Sequence, residues 1–436
     1  MDANGNPGPM TQEPLDRAAA TARLRELVPD GADLIVPIGQ GEPTTVMDLL
    51  EEIAPQCNGV RVHRMDPFVE RRYIRGEFGD RLRHVDYYLG PGSRQAYRDG
   101  QCDLVPNHFS EMPLLLRDAT KRTLVLAAAA GPDEFGRFSL GMNADYVASM
   151  IGEVPFLLEV SSAMPFTTGE NLVPGDQVAG WIRTDAPLPQ VRRRPPNDLD
   201  RAIAAHVADL VPDGACLQVG VGGTPDAMMT ALEDHRDLGV HTECLSTGLM
   251  HLIRKGVVTG ARKLTHPGKH VTTFCLGDAE LAGWLDHNPD VLMLPVDRTN
   301  DPRVVAQEPN FVSINATTEV DLMGQAASET IAGRYWSSSG GQADFARGAM
   351  YSPGGRAFLV LHSATRSGRS RIRVALTEGS VVTTLKNTVD HVVTEYGVAS
   401  LRGRSIAERA RELIAIAHPD HREDLRRDAR TAGMLP

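Results

Sequence analysis

Short apolar runs alternate with stretches of helical spacing along nearly the whole chain. In the first half, "DLIVPIG", "RVHRMD", "VDYYLG" and "TLVLAAAA" have the length and apolar content of buried strands. In the second half, "CLQVGVG", "GVHTE", "TTFCLG" and "VLMLPVD" do the same. Helix-like segments separate them. Strands that alternate with helices bury both faces of a sheet. The pattern therefore predicts an α/β fold with mainly parallel sheets.

The pattern occurs twice. V-P-D-G-A stands at 28–32 and again at 211–215, and eight of the twelve positions of "VPDGADLIVPIG" and "VPDGACLQVGVG" agree. "YYLGPGSRQAYRDGQCDLVP" (87–106) parallels "FCLGDAELAGWLDHNPDVLMLP" (274–295). "PDEFGRFSL" (132–140) parallels "EVDLMGQAA" (319–327), each with Asp-x-x-Gly. The offsets are 183, 187 and 188 residues. Three pairings in the same order at nearly constant offset mean an internal duplication. Asp133 and Gly136 recur as Asp321 and Gly324, so a shared turn accounts for them.

Length fits this division, because 436 residues exceed one hydrophobic core. We expect a disordered tail over 1–14, a first domain over 15–190, a linker over 191–198 and a second domain over 199–436. The linker is marked by "VRRRPPND", whose Pro-Pro continues neither a helix nor an inner strand. Arg192, Arg193 and Arg194 read as its solvated face. Hydrophobic residues at 42% and charged residues at 23% are ordinary for a globular protein, and no apolar run is long enough to cross a bilayer. "MDANGNPGPMTQEP" has neither the basic start nor the apolar core of a secretory signal. Cysteines 57, 102, 216, 244 and 275 show no CxxC or Cys/His spacing, which fits reduced thiols in a cytoplasm and no metal site. A net charge of −11 argues against a nucleic-acid surface. We also expect no membrane partner, and a homodimer or higher homo-oligomer.

Duplicated halves share a fold, so chemistry belongs where they differ. "VGVGGTPDAMM" (219–229) replaces the first half's "PIGQGEPTTVM" (37–47). Gly220, Gly222 and Gly223 end a strand, and Thr224 is placed to cap the next helix, with Pro225 in its first position. Two readings stay open: a tight structural turn, or a cradle for a phosphate or other anion. Pro225 occupies the third glycine position of a GxGxxG fingerprint, so a dinucleotide loop is not indicated. When Gly59-Val60 is aligned with Gly239-Val240, Glu243 falls opposite His63. It follows a short strand and precedes Ser-Thr-Gly, at the sheet edge where α/β folds hold ligands. A surface glutamate in a loop is the competing reading. Cys244 beside it reads as a buried structural thiol, and His241 as a local hydrogen-bonding partner.

"GVGGTPDA", "HTECLSTG", "PVDRTNDPRVVAQ", "INATTEVDLMGQ", "SSSGGQADFARGA" and "VVTEYGVASLRGRSIAERARELIAIAHPD", with "SEMPLLL" and "RTDAPLP", together resemble the acetyl-CoA hydrolase/transferase family over roughly residues 15–432. The type resembled is that of 4-hydroxybutyrate and butyrate–acetate CoA-transferases. The resemblance implies two duplicated CoA-transferase-type α/β domains. It puts the catalytic glutamate on Glu243 and the CoA-binding glycine loop on Gly220, Val221, Gly222, Gly223 and Thr224. It puts the asparagine of an "IN" motif on Asn315 and a G-G-Q loop on Gly340 and Gly341. A further CoA contact falls on Lys386, within "TTLKNTVD". Glu395 and Arg402 are expected to fix loops.

The chemistry so implied is transfer of CoA between carboxylates. Glu243, expected to be ionised at neutral pH, attacks an acyl-CoA thioester, and the enzyme then holds CoA as a glutamyl thioester in a ping-pong sequence. Backbone N–H groups of Gly340 and Gly341 would serve developing oxyanions. CoA and its acyl ester act as substrates, with a short carboxylate as acceptor. No tightly bound cofactor, ATP or metal is needed, because the thioester energy is retained. An acyl-CoA hydrolase and a non-enzymatic CoA-binding protein are the alternatives.

Overall fold

The computed structural model describes residues 13–189, 195–220 and 222–436. Residues 1–12 of the expected tail, 191–194 of the expected linker, and Val221 lie outside the described residues. The chain divides into two compact units.

The first unit carries a wholly parallel sheet. From edge to edge its strands are Cys102–Leu104, Leu82–Asp86, Val60–Arg64, Asp33–Ile35, Leu124–Ala129, Phe156–Ser161 and Val178–Thr184. Every residue of Leu124–Ala129 and Phe156–Ser161 is buried, as a parallel sheet covered on both faces requires. The second unit repeats the arrangement around Cys216–Val219. Gly239–Ser246 pairs on one side of that strand and Phe311–Ala316 on the other, followed by Arg356–Val360, His391–Thr394 and an antiparallel Gly397–Ser400. Two mainly parallel α/β sheets built on the same strand order are the fold expected from the hydrophobic pattern.

The repeated words make repeated structure. In V-P-D-G-A the Gly31 N–H donates to Asn58 O at 2.8 Å and the Ala32 N–H to Pro29 O at 3.1 Å. In the second copy the Gly214 N–H donates to Arg236 O at 2.9 Å and the Ala215 N–H to Pro212 O at 3.1 Å. Asp133 Oδ1 accepts the N–H groups of Phe135 and Arg137, and Asp321 Oδ1 those of Met323 and Gln325. These are one turn used twice.

The units do not follow the boundaries expected from the sequence. Thr272–Arg298 belongs to the first unit, and His108–Ser110 to the second. Backbone bonding explains the first exchange. The Ala144 and Asp145 N–H groups both donate to Thr273 O, the Cys275 N–H to Met142 O at 2.7 Å, and the Met293 N–H to Thr168 O at 3.0 Å. Gly169 packs so closely there that an added Cβ would lie 2.0 Å from Met293 O. All five cysteines are buried, and none is in a disulfide. Among the described residues no helix is long and apolar enough to cross a membrane.

Candidate active site

Glu243 lies within the strand Gly239–Ser246 rather than after it. The strand continues to Ser246, whose side chain caps the helix Thr247–Arg254 by accepting the Leu249 N–H. Ser-Thr-Gly is therefore a helix start and not a free turn. The backbone register also corrects the alignment of the two halves. The Arg61 N–H donates to Ala32 O and the Gly239 N–H to Ala215 O, both at 2.9 Å, so Arg61 and Gly239 are equivalent. Val62-His63 then matches Val240-His241, and the counterpart of Glu243 is Met65, not His63.

The Glu243 carboxylate is held from one side. Asn300 Nδ2 donates to Oε2 at 2.8 Å. The Gly341 N–H donates to the same carboxylate. Gly341 is the N-cap of the helix Gln342–Tyr351, so the positive end of a helix faces this oxygen. An added Cβ on Gly341 would lie 1.9 Å from Oε2, so only glycine permits the contact. Burial and the nearby Asp344 carboxylate outweigh these two hydrogen bonds and push the Glu243 pKa up to about 7. The fully ionised carboxylate expected from the sequence is thus a partly protonated one near neutrality.

Three further residues fix this arrangement; sequence reasoning missed Asn300 and Asp344 and read His241 as a local hydrogen-bonding partner. Asn300 stands in the quoted "PVDRTNDP", a polar run whose burial no pattern signals. His241 is fully buried, and its Nε2–H donates to Thr299 O at 2.7 Å, tying down the residue before Asn300. Burial and the Lys263 charge lower its pKa to about 3, so it is a neutral positioning group. Asp344 accepts the Ser110 N–H at 3.1 Å and hydroxyl at 2.8 Å, while the Phe109 N–H donates to Gly340 O at 3.1 Å. His108–Ser110, just ahead of "EMPLLL", so braces the G-G-Q loop. An acid in a helix's first turn was the available signal for Asp344.

The glycine loop follows the neighbouring strand Cys216–Val219. The Gly220 N–H donates to Ile314 O at 3.0 Å. Gly222, at φ 132° and ψ −175°, occupies backbone space that essentially only glycine reaches. The helix begins at Gly223, two residues earlier than expected, so Thr224 is no cap. Its hydroxyl donates instead to Asp200 Oδ1 at 2.8 Å, an oxygen that also meets His362 Nε2 at 2.8 Å. Gly222, Gly223, Thr224, Asp200 and His362 line a cavity of about 350 Å³. Asn315 lies behind the loop: its amide bonds Gln218 and Ser313, and its Oδ1 would be 3.4 Å from a Cβ on Gly220. Lys386 is exposed on a turn and does not line this cavity. Two residues earlier, Thr384 accepts from Gln342 Nε2 at 3.0 Å and so supports the G-G-Q loop. Glu395 accepts the Ser363 N–H and hydroxyl, and Arg402 donates to Met350 O, so both hold loops.

Residues 277–429 match the model of the acetyl-CoA hydrolase/transferase C-terminal domain. A succinyl-CoA:cyclohexane-1-carboxylate CoA transferase of Geobacter metallireducens is 38% identical over 94% of this chain and 94% of its own. A 4-hydroxybutyrate coenzyme A transferase of Clostridium kluyveri is 37% identical over 88% of this chain and 90% of its own. An acetyl-CoA hydrolase of Saccharomyces cerevisiae is more distant, 28% identical over 52% of this chain and 44% of its own. Among solved structures, RipA from Yersinia pestis superposes with a TM-score of 0.89 at 32% identity, covering 95% of this chain and 97% of RipA. The chain belongs to the acetyl-CoA hydrolase/transferase family.

Proposed function

We propose that this protein is a CoA-transferase that moves CoA from an acyl-CoA to a short carboxylic acid, with Glu243 as the nucleophile. The observation that carries the reading is the pair of N–H donors, Asn300 Nδ2 and the Gly341 backbone, on the Glu243 carboxylate. The near relatives named as CoA transferases support it over hydrolysis, since the hydrolase is the more distant match.

A Glu243 oxygen attacks the thioester carbonyl. The C–S bond breaks, CoA leaves as thiolate, and an acyl–glutamyl anhydride forms. The thiolate then attacks the glutamyl carbonyl, releasing the first acid and leaving a glutamyl-CoA thioester. An acceptor carboxylate attacks that same carbonyl and expels the thiolate, which attacks the acyl carbonyl of the new anhydride. The second acyl-CoA leaves and Glu243 returns as carboxylate. Two of these four steps place a negative oxygen on the glutamyl carbon itself. Asn300 and Gly341 already donate to this carboxylate, so they stabilise the charge that develops there without reorganising. Partial desolvation also strips the carboxylate of water that would blunt its attack. CoA would enter along the glycine loop, where its remote binding energy positions the thioester.

The test is CoA release with and without acetate, combined with peptide mass mapping. A transferase accumulates a CoA adduct on Glu243 with acyl-CoA alone and turns over only when the acid is added. Equal CoA release with and without acid would replace this reading by hydrolysis.

A further inference from the structure

Gly341 presents its N–H to the Glu243 carboxylate from a stretch with little hold on its own shape. Gly340 stands at φ 55°, and Gly341 follows it as the N-cap of the helix Gln342–Tyr351, with no side chain to cap that helix. Glycine gives up more backbone freedom on ordering than any other residue. Yet a donor that acts without reorganising must be in place before the charge develops. Side chains on both flanks of the glycine pair fasten it. After the pair, Gln342 Nε2 donates to Thr384 Oγ1 at 3.0 Å. Before it, the Ser339 hydroxyl donates to Glu329 Oε1 at 3.3 Å.

Glu329 stands outside the reaction steps. It precedes a hairpin whose strands, Thr330–Ile331 and Arg334–Tyr335, pair antiparallel. Its carbonyl oxygen accepts the Trp336 N–H at 2.8 Å and the Ser337 N–H at 3.2 Å, so its backbone closes the hairpin. Its side chain is buried and reaches on to Ser339. The same Oε1 accepts the Thr383 hydroxyl at 2.9 Å. Thr383 is itself fixed. The Thr383 and Thr384 N–H groups both donate to Ala326 O, at 2.9 and 3.1 Å, and Thr383 Oγ1 accepts the Ser328 N–H at 2.9 Å. Both fastenings of the glycine pair therefore end on Thr383-Thr384, one directly and one through Glu329. A carboxylate suits this junction. Ser339 and Thr383 each donate a hydroxyl proton, and an ionised carboxylate only accepts, with two lone pairs on the one oxygen.

We propose that Glu329 is a positioning residue of the transfer reaction: through Ser339 and Thr383 it sets the glycine pair so that the Gly341 N–H meets the Glu243 carboxylate. This rests on the CoA-transferase reading with Glu243 as nucleophile. Glu329 acts through Gly341 and not on the reacting atoms. A shift of about 1 Å in a positioned group can cost on the order of 100-fold in rate. The cavity beside Gly222, Gly223 and Thr224 is lined by neither Glu329, Ser339 nor Thr383, so their loss leaves its walls in place. The signature of the role is a fall in kcat with KM for the acyl-CoA kept.

The experiment measures kcat and KM for an acyl-CoA with acetate in wild type, Glu329→Ala, Glu329→Gln, Ser339→Ala and Gly341→Ala, and in Glu329→Ala and Ser339→Ala each combined with Gly341→Ala. Glu329→Ala should lower kcat about 10–100-fold with KM for the acyl-CoA kept within about twofold. Ser339→Ala removes only the link to the loop and should lower kcat about 3–10-fold. Glu329→Gln keeps an oxygen for both hydroxyls and should restore most of the rate. In the Gly341→Ala background the donor is already displaced, so removing Glu329 should cost less than about threefold more. A residue that merely stabilises the fold would lose rate equally in both backgrounds, and that additivity would overturn the proposal. So would an unchanged kcat in Glu329→Ala and Ser339→Ala, or a loss confined to KM. Ser339 is half-buried, so its variants decide the matter even if Glu329→Ala misfolds in circular dichroism. CoA release is followed with and without acetate. A kcat loss coupled to Gly341, on CoA release that needs no acid, would sink the transferase reading alone. Acid-dependent transfer indifferent to Glu329 and Ser339 would sink the positioning role alone.

Discussion

The second strands of the two sheets, Val60–Arg64 and Gly239–Ser246, begin alike and end differently. His63 and His241 are equivalent in register, and both are buried and hydrogen-bonded, His63 to Asp33 and Tyr87, His241 to Thr299 O. Two residues on, one copy has Met65, 1% exposed, and the other Glu243. The helix starts differ in the same sense. In the first unit the Thr45 and Val46 N–H groups donate to Glu159 Oε2 at 2.7 and 3.0 Å, so a side chain of the protein fills the anion position. In the second unit the helix Gly223–Ala231 has no side-chain cap bond and borders a cavity, and the strand Arg356–Val360 offers no carboxylate. Duplication supplied two scaffolds. One was closed with its own methionine and glutamate, and the other kept a carboxylate and an open loop.

Erasing the difference at Glu243 should have the largest effect. Glu243→Met, the residue of the first copy, and the nearly isosteric Glu243→Gln should each lower turnover at least about 1000-fold while circular dichroism stays unchanged. More than a few per cent residual activity would remove Glu243 from its role. Gly341→Ala comes next. A Cβ in contact with Oε2 and Asn300 must displace the carboxylate, so kcat should fall by about 100–1000-fold, with CoA affinity kept. Asn300→Ala should match it within that range. If kcat in both variants stays near wild type, the two N–H donors are spectators.

The α/β class was legible because parallel strands buried on both faces leave continuous apolar runs such as "TLVLAAAA". The duplication was legible because its turns depend on fixed residues, Gly31 and Gly214, Asp133 and Asp321. The register between copies was not. Gly-Val occurs at 59–60 and 239–240, but hydrogen bonding pairs Val62-His63 with Val240-His241. A two-residue slip keeps every side chain on its own face, so alternation of apolar positions cannot detect it. The exchange of Thr272–Arg298 was equally hidden, since it rests on backbone bonds that leave no mark on side-chain pattern. Glu243 was singled out by motif, whereas Asn300 and Asp344 meet it through contacts distant in sequence. Burial of a polar side chain against one particular carboxylate has no periodicity to read.

Opening the first copy tests the other half of the comparison. Glu159→Ala leaves the Thr45 and Val46 N–H groups without their acceptor at a partly buried helix start. Stability should fall by about 2–3 kcal/mol in urea unfolding, with the activity of the folded fraction unchanged. A drop in kcat at full folding would mean that the first unit's helix start serves more than packing.

The smallest effect is the most diagnostic of the Glu243 environment. Its pKa rises from the usual 4.5 to about 7, because burial penalises the charge and Asp344 adds a like one. A carboxyl whose folded pKa lies above its unfolded value holds a proton that the unfolded chain has released between those two pH values. Stability therefore falls as pH rises from about 4.5 to about 7, and levels off above. Glu243→Gln has no such proton to lose. The variant should match the wild type below pH 4.5, apart from a constant offset, and gain on it steadily up to pH 7. The full shift would correspond to about 3 kcal/mol. Glu243 keeps partial contact with solvent, so a gain on the order of 2 kcal/mol is expected after that screening. The same ionisation should appear as an acid limb near pH 7 in kcat/KM for the acyl-CoA, because the attacking form is the carboxylate. Urea titrations of both proteins at half-unit steps from pH 4.5 to 8 read the difference directly. A flat difference across that range would mean the carboxylate is solvated like any surface glutamate, and Met65 of the first copy would then mark no electrostatic contrast at all.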